Sequence, residues 1–423
     1  MKIGVLGSGG REHAIGWKLG LSNKVDKVFY LPGNGGTENN IPLDIMNFDS
    51  VGKACLEEGI ELLIVGPEAP LAAGIIDYFK SSDLKVFGPD KKASQLESSK
   101  IFAKRFMKKY NVSTAKCWIL DAETENRIES LSKIRDLTKG NCVIKYDGLA
   151  AGKGVFVCST PDDFEIAVNT LLGRYGKQAP ILIEEKLVGD ELSILAFTDG
   201  KHYKLLLPSQ DHKQLLAADK GPNTGGMGAF CPVPGYSEKL DFKIRKNIIE
   251  PTIAGINSEE LDYHGVLYFG LMITEKGPQV LEYNIRLGDP ETEVVLPALK
   301  SDLLSLILAC WDGNLNKVKT EFESGYFVDV VLVSGGYPGE YAKNYNINGW
   351  DKQDLVFCAG VSRKQNKLCT SGGRVLNVVA HAQDLDKAIS KAYEKVTLFD
   401  FKDLYYRPDI GKRTNTIIKS YVG

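Results

Sequence analysis

The sequence lacks the features that mark several large classes of protein. No apolar run reaches the roughly 18 residues of a membrane span, and Arg11 and Glu12 interrupt the N-terminus where a signal peptide would carry its apolar stretch. A cytoplasmic protein with no membrane partner is the expectation. The eight cysteines, at positions 55, 117, 142, 158, 231, 310, 358 and 369, include no C-x-x-C pair, so they read as reduced core residues. No charge sign is in excess: 52 Lys and Arg face 54 Asp and Glu, which leaves no basic field to hold a nucleic acid. Histidine is scarce, and the five present assemble neither a Ser/His/Asp set nor a zinc set by spacing. Internal repeats, low-complexity tracts and charge blocks are also missing.

Glycine is what the chain has in excess. There are 43 among 423 residues, about a tenth against a usual ~7%, and they come in clusters rather than at a fixed period. Clustered glycine points to tight turns and to backbone that approaches ligands closely. At about 150 residues per domain the length predicts roughly three domains.

The hydrophobic pattern divides the chain accordingly. Residues 2–7 (KIGVLG), 27–31, 61–65 and 85–87 are strand-like and alternate with helical stretches at 11–21 and 71–80, which predicts a doubly wound parallel sheet of the α/β class. A helix over 98–110 leads to a small block with strands at 142–146, 155–158 and 181–185 and an amphipathic helix at 161–172, sized as a lid. From Glu191 onward the mixed runs ELSILAF, GVLYFGLMIT and PQVLEYN predict an α+β domain, and after Gly325 a further α+β domain ends with a helix over 385–398.

Four clusters carry candidate chemistry. In GVLGSGGREHA a strand end meets a helix N-terminus, where backbone N–H groups and the helix dipole favour a phosphate. A dinucleotide fingerprint would need a third glycine at Glu12, so a nicotinamide oxidoreductase is disfavoured. The run VIKYDGLAAGKGVFV places Lys145 and Lys153 around Gly148, Gly152 and Gly154. Its spacing differs from a Walker A loop, and the lysines among small residues favour a phosphate flap over a plain surface hairpin. In ILIEEKLVGDE a backbone hinge after Glu184 and Glu185 could meet an adenine edge and Glu191 could accept from ribose hydroxyls, although a Glu pair alone is usually a solvated strand end. In VLEYNIRLGDPETE, residues Glu282, Asn284 and Arg286 alternate at period two and share one strand face. A carboxylate and an amide oxygen suit Mg²⁺, and an arginine beside them suits a carboxylate or a transferring phosphoryl group. A long polar loop, residues 209–230, completes the set.

Together these motifs resemble one family, the phosphoribosylamine–glycine ligases or glycinamide ribonucleotide synthetases of the ATP-grasp superfamily. The resemblance runs through GSGGREHA (7–14), PGNGGT (32–37), VGPEAPL (65–71), KYDGLAAGKGV (145–155), SQDHK (209–213), GPNTGGMGAF (221–230), GDPETE (288–293), SGGYPG (334–339), SGGRVLNV (371–378) and RPDIG (407–411). It implies an N-terminal phosphoribosylamine-binding domain over 1–103, an ATP-grasp body over 104–326 with its lid at about 121–188, and a C-terminal domain over 327–423. It implies ligation of glycine to 5-phosphoribosylamine with ATP, through glycyl phosphate, by a monomeric enzyme using Mg²⁺ or Mn²⁺.

By motif match, Lys100, Lys145, Gly152 and Lys153 would hold ATP phosphates, and Glu184, Leu187 and Glu191 the adenine and ribose. Glu282 and Asn284 would carry the metal, with Arg286 steadying the carboxylate and acyl phosphate. Gly9, Gly10, Arg11, Glu12 and His13 would receive the 5′-phosphate, while Asp211 with Thr224, Gly225, Gly226 and Met227 would shape the amine and glycine site. The sequence departs from the family pattern at Tyr146, where a small residue is usual, and at Ile285, Leu287 and Pro408. The motifs SQDHK and GPNTGGMG disfavour a ligase that carboxylates or formylates a ribonucleotide. The presence of Glu282, Asn284 and Arg286 disfavours a non-catalytic ATP-binding module.

Overall fold

The computed structural model describes every residue except 122, 151–153, 351–353 and 423. Gly152 and Lys153 of the expected phosphate flap therefore lie outside the described residues. No helix among the described residues is long and apolar enough to cross a membrane.

The first strands form the parallel sheet that the alternation predicts. Lys2–Gly7 pairs on one side with Lys27–Pro32 and on the other with Leu62–Val65, which pairs with Lys85–Pro89, all in parallel. Ile3, Val5, Leu6, Leu62 and Leu63 are fully buried, as expected of strands covered by helices on both faces. This sheet does not stop at its own edge. Tyr263 and His264 pair antiparallel with Pro89 and Gly88, so the sheet continues through Tyr263–Thr274 into Asp190–Thr198 and Tyr203–Leu205, with Gly277–Asn284 also paired to Tyr263–Thr274. The fold class is thus mixed α/β and α+β, with the N-terminal sheet and the ATP-grasp body sharing eight strands.

The block expected to be a lid is a four-stranded antiparallel sheet in the order Cys117–Leu120, Ile181–Glu185, Cys142–Tyr146, Val155–Val157. Its first strand reaches back before residue 121, because Cys117–Leu120 supplies the edge partner of Ile181–Glu185. The helix Pro161–Tyr175 starts with a capping box, Thr160 accepting from Asp163 N–H, and proline in its first turn. It buries Phe164, Ala167, Val168 and Leu171 on one stripe against Ile144 and Ile183. Each large apolar side chain so buried contributes about 1.5–3 kcal/mol, which gives the lid a core of its own. Tyr146, the departure from family pattern, stacks flat on Tyr175 with ring centroids 3.7 Å apart.

The third sheet also crosses the expected boundaries. Tyr326–Val333, Arg374–Ala382 and Val356–Cys358 are joined by Gly228–Cys231 and Gln210–Asp211, so both ends of the long polar loop are strands of the C-terminal sheet. The closing helix, Leu385–Val396, packs Ala388, Ile389, Ala392 and Val396 on this sheet. The expected helix 71–80 is interrupted, being two short helices that meet at Gly74, whose left-handed φ of 96° ends the first; the helical stretch Glu238–Ser258 contains one π turn at Arg245–Ile249.

Candidate active site

One strand carries the two residues expected to hold the metal, Glu282 and Asn284. From Glu282 onward its residues alternate between part-exposed Glu282, Asn284 and Arg286 and buried Tyr283, Ile285 and Leu287, which is the period-two pattern read from the sequence. Strand pairing ends at Asn284, so Arg286 projects from the following segment. Glu282 lies opposite Gly270, and Lys213 Nζ stands 3.9 Å from Glu282 Oε1 and 3.8 Å from Glu191 Oε2. Burial works to raise the Glu282 carboxyl, but Lys213, Lys145 and Lys100 outweigh it and hold it below the ordinary range. An ionised carboxylate beside an amide oxygen is a hard-oxygen donor pair that fits Mg²⁺ or Mn²⁺, with phosphate oxygens and water left to complete the shell. No group of three or more acidic, His or Cys side chains able to hold a metal occurs among the described residues, so the pair would depend on its substrate for further ligands.

Around this strand lies a set of lysines. Lys145 and Lys104 both ion-pair with Glu184, and all three side chains are nearly sealed from solvent. Lys145 also donates to Leu281 O at 3.1 Å, which ties it to the metal strand. Burial tends to raise the Glu184 carboxyl, yet the two lysines hold it below its usual range, while burial lowers Lys104. The sequence pattern placed Glu184 at an adenine edge. In the structure its carboxylate is occupied by the two lysines, and the part-exposed Lys186–Gly189 stretch, including Leu187, borders the turn into the next strand. Lys100 donates to Gly148 O at 3.0 Å at the base of the glycine-rich turn.

Arg286 is held on two sides. Its Nε donates to Glu68 Oε2 at 3.2 Å and its Nη2 to Glu97 Oε1 at 3.1 Å, so the N-terminal segment fixes the guanidinium. Three residues further on, Asp289 Oδ1 lies 3.0 Å from Arg374 Nη1. These two line a cleft of about 420 Å³ with Ser8, Gly9, Asn34, Gly360, Ser371 and Gly372. Its walls approach so closely that a Cβ on Gly360 would stand 2.4 Å from the Gly372 Cα, which leaves no room for a side chain there. The cleft offers one guanidinium, small residues and the start of the helix Gly10–Gly20.

The residues expected at that helix start are placed unequally. Gly9 lines the cleft, but Gly10 is buried against Asn377 and Glu293. Glu12 Oε2 accepts from Gly9 N–H at 2.6 Å as the helix cap, and its Oε1 accepts from Arg11 Nε at 2.6 Å. Arg11 and Glu12 are almost completely buried and line no part of the cleft, since a buried cap needs its charge compensated. Gly66 makes space for that carboxylate, because a Cβ there would fall 2.1 Å from Glu12 Oε1. His13 Nδ1 accepts from Cys358 N–H at 2.9 Å and so joins the N-terminal helix to the C-terminal sheet.

On the long loop, Asp211 is buried and its carboxyl is pushed up to about 7, by burial first, with Lys213 opposing and Glu291 and Glu191 adding. Thr224 Oγ1 donates to Lys213 O at 2.8 Å and Gly225 O accepts from Arg374 Nη1 at 2.7 Å, which draws the loop towards both the lysine and the cleft. Gly226 packs against Pro290, and Met227 is fully buried in the main core, so that side chain serves packing. Sequence reasoning assigned no role to Lys104, Lys213, Glu97, Glu68, Asp289 or Arg374. Lys213, Glu68, Asp289 and Arg374 stand in motifs the resemblance used, SQDHK, VGPEAPL, GDPETE and SGGRVLNV, which was the available signal.

Comparison with known proteins identifies the family. Family profiles described as the N, ATP-grasp (A) and C domains of phosphoribosylglycinamide synthetase match residues 1–97, 98–292 and 327–413. A phosphoribosylamine–glycine ligase of Clostridium acetobutylicum is 45% identical over 422 residues, covering 97% of this chain and all of that protein. The crystal structure of the Thermotoga maritima phosphoribosylamine–glycine ligase superposes with a TM-score of 0.83 at 36% identity, over 97% of this chain and 100% of that one. A biotin carboxylase domain of Hydrogenobacter thermophilus, solved with MgADP and bicarbonate, shares the fold alone, with a TM-score of 0.69 at 15% identity, over 96% of this chain and 91% of that one.

Proposed function

Since the chain belongs to the phosphoribosylglycinamide synthetase family, its reaction is the ATP-dependent joining of glycine to 5-phosphoribosylamine that forms glycinamide ribonucleotide in purine biosynthesis, and we propose that the two faces described above divide that reaction between them. The observation that carries the division is the single segment Glu282–Asp289. It runs from the candidate metal pair past Arg286 to the wall of the cleft.

On the nucleotide face, Lys100 and Lys145 bind ATP phosphates, and Glu191 with the Leu187 stretch takes the ribose and adenine. Glu282 and Asn284 hold Mg²⁺ or Mn²⁺. When bound, the cation would neutralise phosphate charge and orient the γ-phosphoryl group. The glycine carboxylate attacks that phosphorus, giving glycyl phosphate and ADP. Arg286, already fixed by Glu68 and Glu97, steadies the charge on the carboxylate and then on the acyl phosphate without reorganising.

On the cleft face, Arg374 and the backbone of Ser8, Gly9 and Gly372 hold the 5′-phosphate of phosphoribosylamine, and Asp289 accepts from its sugar or amine. The amine attacks the acyl carbon, the C–N bond forms, the C–O bond to phosphate breaks, and the nitrogen gives up a proton. A free carboxylate is a poor acyl donor, so activation and positioning supply most of the rate. Asp211, Lys213 and the Thr224–Gly226 turn border glycine between the faces. The enzyme acts as a cytoplasmic monomer.

The test is ADP release with glycine, Mg²⁺ and phosphoribosylamine generated in place from ribose 5-phosphate and ammonia. Release is expected only when all are present. Equal release without glycine, or none with the full set, contradicts the reading.

A further inference from the structure

Arg286 does not aim itself. Strand pairing has already ended at Asn284, so the backbone there has no ladder to fix it. What holds it is Glu97, which lies 189 positions away in sequence from the arginine. One carboxylate oxygen of Glu97 accepts from the Ile285 N–H at 2.8 Å and the other from Arg286 Nη2 at 3.1 Å. The same side chain therefore fixes both the backbone that presents the arginine and the guanidinium at its tip. The Glu97 and Arg286 side chains are only 9% and 15% exposed, so water competes little for either partner.

Glu97 is itself anchored through its C-terminal neighbours in the chain. Ser99 Oγ donates to Asp147 at 3.0 and 3.1 Å, Ile101 N–H donates to Asp147 Oδ1 at 3.0 Å, and Lys100 Nζ donates to Gly148 O at 3.0 Å. The segment 97–101 thus touches the base of the glycine-rich turn at one end and the arginine at the other. Without Glu97 the guanidinium would keep Nε on Glu68 and Nη1 on Leu287 O, each at 3.2 Å, while the Nη2 edge and the Ile285 N–H would both lose their acceptor.

We propose that Glu97 is a positioning residue for Arg286, setting the aim of the guanidinium at the acyl-phosphate step while taking no part in nucleotide binding. The proposal rests on the role given to Arg286 above. Glu97→Gln keeps the size and one acceptor but removes the charge, and it is compared with Arg286→Ala and the double variant in the full-length enzyme. Nucleotide binding is read separately by displacement of a fluorescent ADP analogue.

Glu97→Gln is expected to lower kcat at least about tenfold, with KM for ATP and ADP affinity within about twofold of the unaltered enzyme. In the Arg286→Ala background it is expected to cost less than a further twofold or so, because the group it serves is gone. Glu97→Asp is expected to recover part of the loss. A kcat for Glu97→Gln within about twofold of the unaltered enzyme, while Arg286→Ala is crippled, overturns the positioning role and leaves the arginine's role standing. Full multiplicative losses in the double variant, or a parallel loss of ADP affinity, also overturn it. If Arg286→Ala itself keeps kcat, the reading of the arginine fails and the proposal falls with it.

Discussion

In the proposed division the nucleotide face and the cleft both hold anionic oxygen, and they are built from different material. Around Glu282 the protein places four lysines, at 100, 104, 145 and 213, and balances them with buried or half-buried carboxylates. Around the cleft it places a single ion pair, Arg374 with Asp289, among serines, asparagine and glycines. Paired charges are held in register before the ligand arrives, and their mutual attraction offsets the cost of burial. Small residues instead bring backbone up to the ligand, and Gly360 and Gly372 touch so closely that the wall admits no other residue. A polyphosphate with a metal calls for several fixed charges, whereas a single phosphate monoester is served by a guanidinium and backbone N–H groups.

The contrast can be broken most forcefully at Lys104. Lys104→Met leaves Glu184 buried with one cation instead of two, a loss of one partner that costs about 1–3 kcal/mol. Chemical denaturation should show that drop, and an unchanged midpoint would mean that the charge cluster does not hold the face together. Next in size is Glu282→Gln, expected to lower turnover roughly 10²-fold at limiting Mg²⁺ and less at high Mg²⁺. A Mg²⁺ titration curve that does not move removes Glu282 from the metal site. On the other face, Arg374→Ala should raise KM for phosphoribosylamine about tenfold or more, the scale of one charge-assisted hydrogen bond. KM for ATP should stay within about twofold.

The effect that is smallest near neutral pH, and grows with acidity, concerns the loop between the faces. His212 is fully buried, and burial, followed by the charges of Arg413 and Arg407, pushes its pKa down to about 3. The unfolded chain takes up that proton near pH 6.5 while the folded one does not. The contribution is therefore complete above that value and is lost as pH falls towards 3, by at most about 1.4 kcal/mol per pH unit. His212→Phe should flatten the acid limb of a stability–pH curve, and an identical limb would show that His212 is not the group responsible.

Much of the nucleotide face was legible because its signal is local. Glu282, Asn284 and Arg286 alternate with apolar residues over a few positions, and Lys145 ends a strand beside a glycine-rich turn. What stayed hidden depends on contacts between distant segments. Lys104 reads as one more charge on an amphipathic helix until Glu184, 80 residues later, comes into its place. Arg374 reads as a strand residue until Asp289 and Gly225 meet it. Arg11 and Glu12 look like ligand residues from their position, and only the fold reveals that they neutralise each other under the helix start. The same holds for the sheets: their individual strands were visible, but not the pairing of Gly88 with His264 that joins the N-terminal sheet to the body.

The most direct measurement of the division into two faces is the binding of ribose 5-phosphate, followed by titration calorimetry, to the unaltered enzyme, to Arg374→Ala and to Lys100→Met. The account predicts that Arg374→Ala weakens binding about tenfold or more and that Lys100→Met leaves it within about twofold. Loss of binding in Lys100→Met with full binding in Arg374→Ala would contradict it, and would place the sugar phosphate on the nucleotide face.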